Sequence, residues 1–160
     1  MSEPLLTIDN LRIEAGGRVL LEGLSFSVAA GERLAIVGES GSGKTLATRA
    51  IPGLLAPGLE RVSGTIRFEG RELTALGERG LRSVRGAGIG LVFQEPMTSL
   101  NPALPIGVQL AEGLKLHRGL DDAEVRRRSI DMLARVQITD PKGCLARYPH
   151  EFSGGMRQRI

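Results

Sequence analysis

GESGSGKT, residues 38–45, decides how the rest of the chain is read. It fits the pattern G-x-x-x-x-G-K-[ST]. The apolar run RLAIVG (33–38) leads into it, and a stretch with an apolar face, carried by Leu46, Ala47, Ala50 and Ile51, leads out. A phosphate is an anion rich in acceptor oxygens. Successive backbone N–H groups at a helix N-terminus answer both its charge and its acceptors. Glycines let that backbone approach with no Cβ in the way. In this pattern Lys44 bridges the β- and γ-phosphates of a nucleotide and the Thr45 hydroxyl ligates Mg²⁺. The bland alternative, a merely tight strand-to-helix turn, leaves the lysine unexplained. The loop alone does not separate kinases, GTPases and transport ATPases.

The chain has 160 residues, of which 41% are hydrophobic, enough for one domain with a core. With four Phe, one Tyr and no Trp, that core is built from Leu, Ile, Val and Ala. The net charge of +3 is mild. Nucleic-acid binding calls for a concentrated basic face with stacking aromatics, and neither is visible, so no nucleic-acid partner is expected. Arg126–Arg128 lie among the acids Asp121, Asp122, Glu124 and Asp131. A single cysteine, Cys144, rules out an internal disulfide framework and reads as a buried thiol. The N-terminal MSEPLLTIDNLRIE lacks a basic-then-apolar signal pattern. No apolar run approaches the ~20 residues of a membrane-spanning helix. The expectation is a cytoplasmic chain that reaches a membrane only by docking on another protein.

Strands are expected over 5–14, within 19–28, over 33–38, over 63–70 and over 88–94. Leu24, Phe26 and Val28 share one face of the second. Ala30-Gly31-Glu32 reads as a turn, and LAPGLERVSG (55–64) as the most loop-like stretch. A helix is expected from about Lys44, stopped or kinked at Pro52-Gly53. A short polar helix is expected over 78–84. From Pro105 the pattern turns helical: Ile106, Leu110, Leu114 and Leu116 mark one helix, and Val125, Ile130, Leu133 and Val136 the next. Asp121 and Asp122 stand at the N-terminus of that second helix. Pro141 opens a short third. His117 reads as solvent-facing and His150 as structural. The chain thus divides into an α/β part, about 1–95, and a helical part, about 96–160.

Three segments together carry a resemblance. GESGSGKT, then FQEPMTSLNP (93–102), then YPHEFSGGMRQR (148–159) resemble, in order and spacing, an ATP-binding cassette (ABC) transporter ATPase. The branch they are most similar to powers bacterial dipeptide and oligopeptide import, with relatives for nickel. The resemblance implies an α/β P-loop NTPase fold of ABC ATPase type. In it a mixed sheet surrounds the P-loop helix, and a helical subdomain follows. It implies ATP held by Gly38, Glu39, Ser40, Gly41, Ser42, Gly43, Lys44 and Thr45, with Mg²⁺ at Thr45 and Gln94. It places the segment Glu95, Pro96, Met97, Thr98, Ser99, Leu100, Asn101 and Pro102 against a transmembrane permease. It makes Ser153, Gly154, Gly155 and Met156 a signature that binds, in trans, the ATP held by a second cassette, identical or paralogous. Such a subunit is peripheral on the cytoplasmic face of the bacterial inner membrane, and a periplasmic or extracellular solute-binding protein is an indirect partner. ATP then joins two cassettes head to tail, and its hydrolysis releases them to drive the permease.

The chain departs from the family pattern in three places. The family's Mg²⁺-binding Asp, catalytic Glu and switch His follow the signature, and they have no counterpart within residues 1–160. The expectation is therefore an incomplete cassette with no catalytic residue of its own. The strand beside the P-loop strand is missing as well, which leaves its neighbours with apolar faces and unpaired edges. Such a piece is expected to be poorly stable and not to hydrolyse ATP. Its alternative role is a non-hydrolysing nucleotide-binding or dimerisation module. Pro52, the second departure, has no functional reading beyond ending the helix. The third lies in EAGGRV (14–19), where Ala15 replaces an aromatic that would stack on the base. Arg18 or Val19 would cover the ring with less stacking energy. ATP and GTP are therefore expected to compete about equally in a nucleotide-binding assay; a large preference for ATP would refute this.

Overall fold

The computed structural model describes residues 3–93 and 99–160. The chain falls into two compact units, Met1–Ile89 and Gly90–Ile160. The first is built on a four-stranded antiparallel sheet in the order β2-β1-β3-β4, comprising β1 (Leu6–Ala15), β2 (Arg18–Val28), β3 (Leu59–Phe68) and β4 (Arg71–Glu72). Two-residue turns make its hairpins. Gly16 and Gly17 both have positive φ, as the mirror-image turn that suits strand twist requires, and they set Ala15 opposite Arg18.

β1 does not alternate evenly. Ile8, Leu11 and Ile13 are all buried, so the inward phase slips by one residue between Ile8 and Leu11. The slip is a bulge at Asn10, whose φ is +47°. Its N–H leaves the ladder and donates to Ser25 Oγ at 2.8 Å. The β1–β2 and β1–β3 pairings both shift register here. On β3 the shift is accommodated by Gly64, at φ +90°. Each of the three buried aliphatics contributes about 1.5–3 kcal/mol relative to an exposed position.

The core of this unit joins Ile8, Leu11, Ile13 and Ile66 to Ala50 of α1 (Lys44–Ala50) and Val84 of α2 (Glu78–Val84). The apolar face expected for α1 is realised. Ala47 and Ala50 are buried, and Leu46 and Ile51 pack against the cluster. α1 ends in a Schellman closure: Gly53 N–H donates to Ala50 O (3.0 Å) and Leu54 N–H to Arg49 O (2.8 Å), with Gly53 left-handed at φ +68°. Pro52 is buried just before Gly53, and its carbonyl, which the closure does not use, accepts from Arg85 Nε at 2.6 Å.

Two expected strands are not formed. Residues 33–38 and 88–93 form no strand: the pairing there is limited to an isolated bridge between Ile89 and Arg85, and Val37 (87% exposed) and Val92 (96%) turn outward while Ile89 packs against the core. An apolar run becomes a strand only where a neighbouring strand takes its backbone hydrogen bonds in register; Ile89 instead bonds back into the turn after α2, its N–H donating to Val84 O (3.0 Å) and its O accepting from Gly86 N–H (2.9 Å). The described sheet is thus antiparallel rather than mixed. β3 also begins earlier than expected, at Leu59 rather than Ser63, so only 55–58 of the expected loop remains.

The second unit is helical, with α3 (Ile106–Arg118), α4 (Asp122–Arg135), α5 (Pro141–Cys144) and α6 (Gly154–Arg159). Its core holds Ile106, Leu133, Ile138, Cys144, Leu145 and Phe152. Asp121 caps α4 by accepting from Glu124 N–H (2.8 Å), and Asp140 caps α5 by accepting from Gly143 N–H (3.0 Å). α3 is capped by backbone: Ile106 and Gly107 N–H donate to Arg147 and Leu145 carbonyls, both at 2.9 Å. Leu116 is 73% exposed, whereas His117, expected to face solvent, is half-buried. Burial pushes the Cys144 thiol pKa up, which keeps it protonated and unreactive.

A Cβ built on Gly64 would stand 2.5 Å from Asn10 O and 2.6 Å from Leu11 Cα. Gly64→Ala is therefore expected to lower unfolding stability by more than about 1 kcal/mol in urea titrations. Gly90→Ala, where a Cβ meets nothing within 4 Å, is the control and should leave it nearly unchanged.

Candidate functional site

The loop Gly38–Thr45 is gathered into one turn at the head of α1. Gly41 and Gly43 take φ of +83° and +89°, values that side chains avoid. Ser42 N–H closes on Glu39 O at 3.2 Å. Lys44 folds back over the loop: its ammonium donates to the carbonyls of Gly38 (2.8 Å) and Glu39 and to Ser42 Oγ (3.3 Å). The positive charge is thus held in the mouth of the loop. Backbone conformation favours glycine at 41 and 43, and side chains crowd positions 38 and 43. A Cβ on Gly38 would meet Ser42 Oγ at 2.8 Å, and one on Gly43 would meet Leu21 Cδ1 at 3.0 Å. Thr45 is exposed on the first turn of α1. No side chain caps this helix, so its leading N–H groups remain available to an outside acceptor. A glycine cradle with a central cation fits a polyphosphate.

Gln94, Glu95, Pro96, Met97 and Thr98 lie outside the described residues. Downstream, Gln109 holds the end of the same segment. Its Oε1 accepts from Asn101 N–H (2.8 Å), and its Nε2 donates to the carbonyls of Asn101 (3.0 Å) and Leu104 (2.8 Å). Sequence reading missed Gln109. A lone glutamine on a helix carries no pattern, and only its spacing of eight from Asn101 hinted at it.

In the second unit Ser153 is the N-cap of α6, its Oγ accepting from Met156 N–H at 3.3 Å. Gly154 and Gly155 are exposed, and a Cβ at either would meet nothing within 4 Å. The flanking positions are structural: Phe152 is buried in the core and Met156 packs beside it. Arg147 lies 4.3 Å over the Phe152 ring, and its guanidinium also pairs with Glu151. Arg159 ties α6 to the end of α4 by donating to Val136 O (3.4 Å) and Gln137 O (2.9 Å). His150 is exposed and stacks on Tyr148 with ring centroids 5.7 Å apart, a local packing role. Among the described residues no group of His, Cys, Asp and Glu could hold a metal ion.

The ABC transporter family model matches residues 21–160. This chain belongs to the ABC transporter family. The family member is 44% identical over 163 residues to the dipeptide transport ATP-binding protein DppD of Bacillus subtilis, covering 99% of this chain and 49% of that protein. It is 45% identical over 160 residues to the oligopeptide transport ATP-binding protein OppD of Salmonella typhimurium, covering 98% and 48%. The chain thus spans about half the length of these curated relatives. Among solved structures, the ATP-binding cassette MJ0796, a dimer bound to ADP and Pi, superposes with a TM-score of 0.81 at 24% identity. That match covers 96% of this chain and 66% of MJ0796, and it establishes the ABC ATPase fold. No helix among the described residues is long and apolar enough to cross a membrane.

α4, which carries the anchor for α6, has an acid-sensitive bond set. Glu124 accepts from Arg127 (2.7 and 2.8 Å) and from Arg128 (2.7 Å). These hydrogen bonds, Arg127 first, lower its pKa from 4.5 to about 2. A depressed carboxylate contributes stability that is fully present above the unfolded value and lost as pH falls through the folded one. Thermal melting should therefore show an acid-side loss between about pH 4.5 and about pH 2. Glu124→Gln should flatten that part of the profile.

Proposed function

We propose that this chain is the nucleotide-binding portion of the ATP-binding subunit of a bacterial ABC importer, which couples MgATP binding and hydrolysis to uptake of di- or oligopeptides or a related solute. The observation that carries this is the phosphate loop closed on its own lysine. The names of the relatives, dipeptide and oligopeptide transport ATP-binding proteins, support the cargo class. When bound, MgATP supplies the anionic phosphate chain that the loop is shaped to accept.

In this reading residues 38–45 hold the phosphates. The glycines admit the oxygens to backbone N–H groups, and Lys44 neutralises charge. Thr45 and Gln94 hold the Mg²⁺. Ser153, Gly154, Gly155 and Met156 address the nucleotide of a second cassette, so the working unit is a homo- or heterodimer. Residues 95–102 dock on transmembrane permease subunits, with Gln109 bracing Asn101 from behind. A solute-binding protein acts upstream, and the subunit sits peripherally on the cytoplasmic face of the membrane.

The test is ATP binding by equilibrium titration. Lys44→Ala should weaken it by at least about tenfold, a difference of ~1.4 kcal/mol. Ser153→Glu should leave binding to the single chain intact and abolish ATP-induced pairing, read by light scattering. Wild-type affinity in Lys44→Ala would refute the assignment of the loop.

A further inference from the structure

The C-terminal end of α1 is held by a residue that no motif names. Arg85, just past the end of α2, extends its guanidinium across to α1. Its Nε donates to Pro52 O at 2.6 Å and its Nη2 to Gly53 O at 3.0 Å. Its Nη1 donates to Glu78 Oε1 at 2.7 Å. The two carbonyls belong to residues at the Schellman closure of α1, more than 30 residues earlier in the chain. Arg85 is the more enclosed partner of this pair, its side chain 21% exposed against 58% for Glu78. Arg85 in turn holds the Glu78 carboxyl below its usual range.

This matters because α1 is short. At 1.5 Å per residue its seven residues span about 10 Å, so its two ends cannot move independently. At the front, Gly43 has no capping side chain and rests on Leu21 and Leu20. At the back, a planar guanidinium fixes two carbonyls at once, and Glu78 fixes the guanidinium. A fork of this geometry is a specific positioning device, which an ammonium of equal charge does not reproduce. A cation beside the carbonyl end also suits the helix dipole.

We propose that Arg85 is a positioning residue of the phosphate loop: through Pro52 and Gly53 it sets where α1, and with it Gly43 and Lys44, stands. The proposal rests on the reading of residues 38–45 as a nucleotide site. A small misplacement of a phosphate cradle is costly because several donors must meet one anion together. The loss should therefore fall on the outer phosphates.

The experiment titrates ATP, ADP and AMP against the full chain and its Arg85→Gln, Arg85→Lys, Glu78→Gln and Lys44→Ala variants, well below each melting temperature. Arg85→Gln should weaken ATP and ADP by about tenfold and leave AMP unchanged. Arg85→Lys should recover only part of that, and Glu78→Gln should show a smaller loss of the same kind. A role in stability alone would lower the melting temperature and leave the ATP-to-AMP affinity ratio untouched. Wild-type ratios in the Arg85 and Glu78 variants, with ATP binding lost in Lys44→Ala, overturn this proposal alone. Wild-type ATP binding in Lys44→Ala overturns the nucleotide site and this proposal with it. Should Arg85→Gln not fold, wild-type ratios in both Arg85→Lys and Glu78→Gln overturn it.

Discussion

The structure of the first unit depends on leaving the front of a seven-residue helix unsatisfied. A helix N-terminus normally acquires a capping side chain. α1 has a left-handed glycine there and no such cap. The open N–H groups are what an anion needs, but they add nothing to holding the helix in place. Its stability must come from elsewhere. Ala47 and Ala50 bury its inner face, the Schellman closure satisfies its last carbonyls, and Arg85 ties that closure to α2. The antiparallel sheet serves the same end, since Leu20 and Leu21 of β2 form the surface on which Gly43 rests.

Close contact imposes a second constraint. The bulge at Asn10 moves the buried phase of β1 from Ile8 to Leu11 and Ile13. Without it, a strictly alternating β1 would turn Leu11 and Ile13 to the face opposite Ile8. The bulge is feasible only because β3 presents a glycine where its backbone comes within reach of Asn10 O. A single missing Cβ thus keeps three aliphatics in one core.

What the sequence made legible follows from the range of the forces involved. Local signals worked. Gly-Lys-Thr opened a helix, Gly16-Gly17 turned a hairpin, Asp121 capped α4, and alternation placed Leu24, Phe26 and Val28 on one face. Signals that depend on a distant partner did not. RLAIVG and GIGLV read as buried strands from composition, yet strand formation is decided by the neighbour that accepts their hydrogen bonds. The early start of β3 was hidden behind Pro57-Gly58, since turn residues mask the Leu59–Arg61 stretch that pairs along β1. His117 is half-buried rather than solvent-facing, while its neighbour Leu116 is exposed, because the two lie on different faces of the last turn of α3. Arg85 and Gln109 act through side-chain bonds to backbone, and a bond to a carbonyl leaves no trace in residue identity at the accepting position.

The two glycine-opened turns differ in one physical respect that bears on how they are used. The loop at 38–45 carries its own countercharge, with the Lys44 ammonium drawn into its mouth. The turn at 153–155 has a serine and bare backbone. Two of the neighbouring guanidinium groups are committed: Arg147 to Glu151 and the Phe152 ring, Arg159 to the carbonyls that end α4. Neutral donors at a six-residue helix supply direction but little charge, and a polyanion leaving water needs both. The first turn thus combines donors with a countercharge, whereas the second offers chiefly donors. In the proposed pairing that asymmetry has a use: the serine–glycine turn of one cassette meets a phosphate that Lys44 of the other has already neutralised.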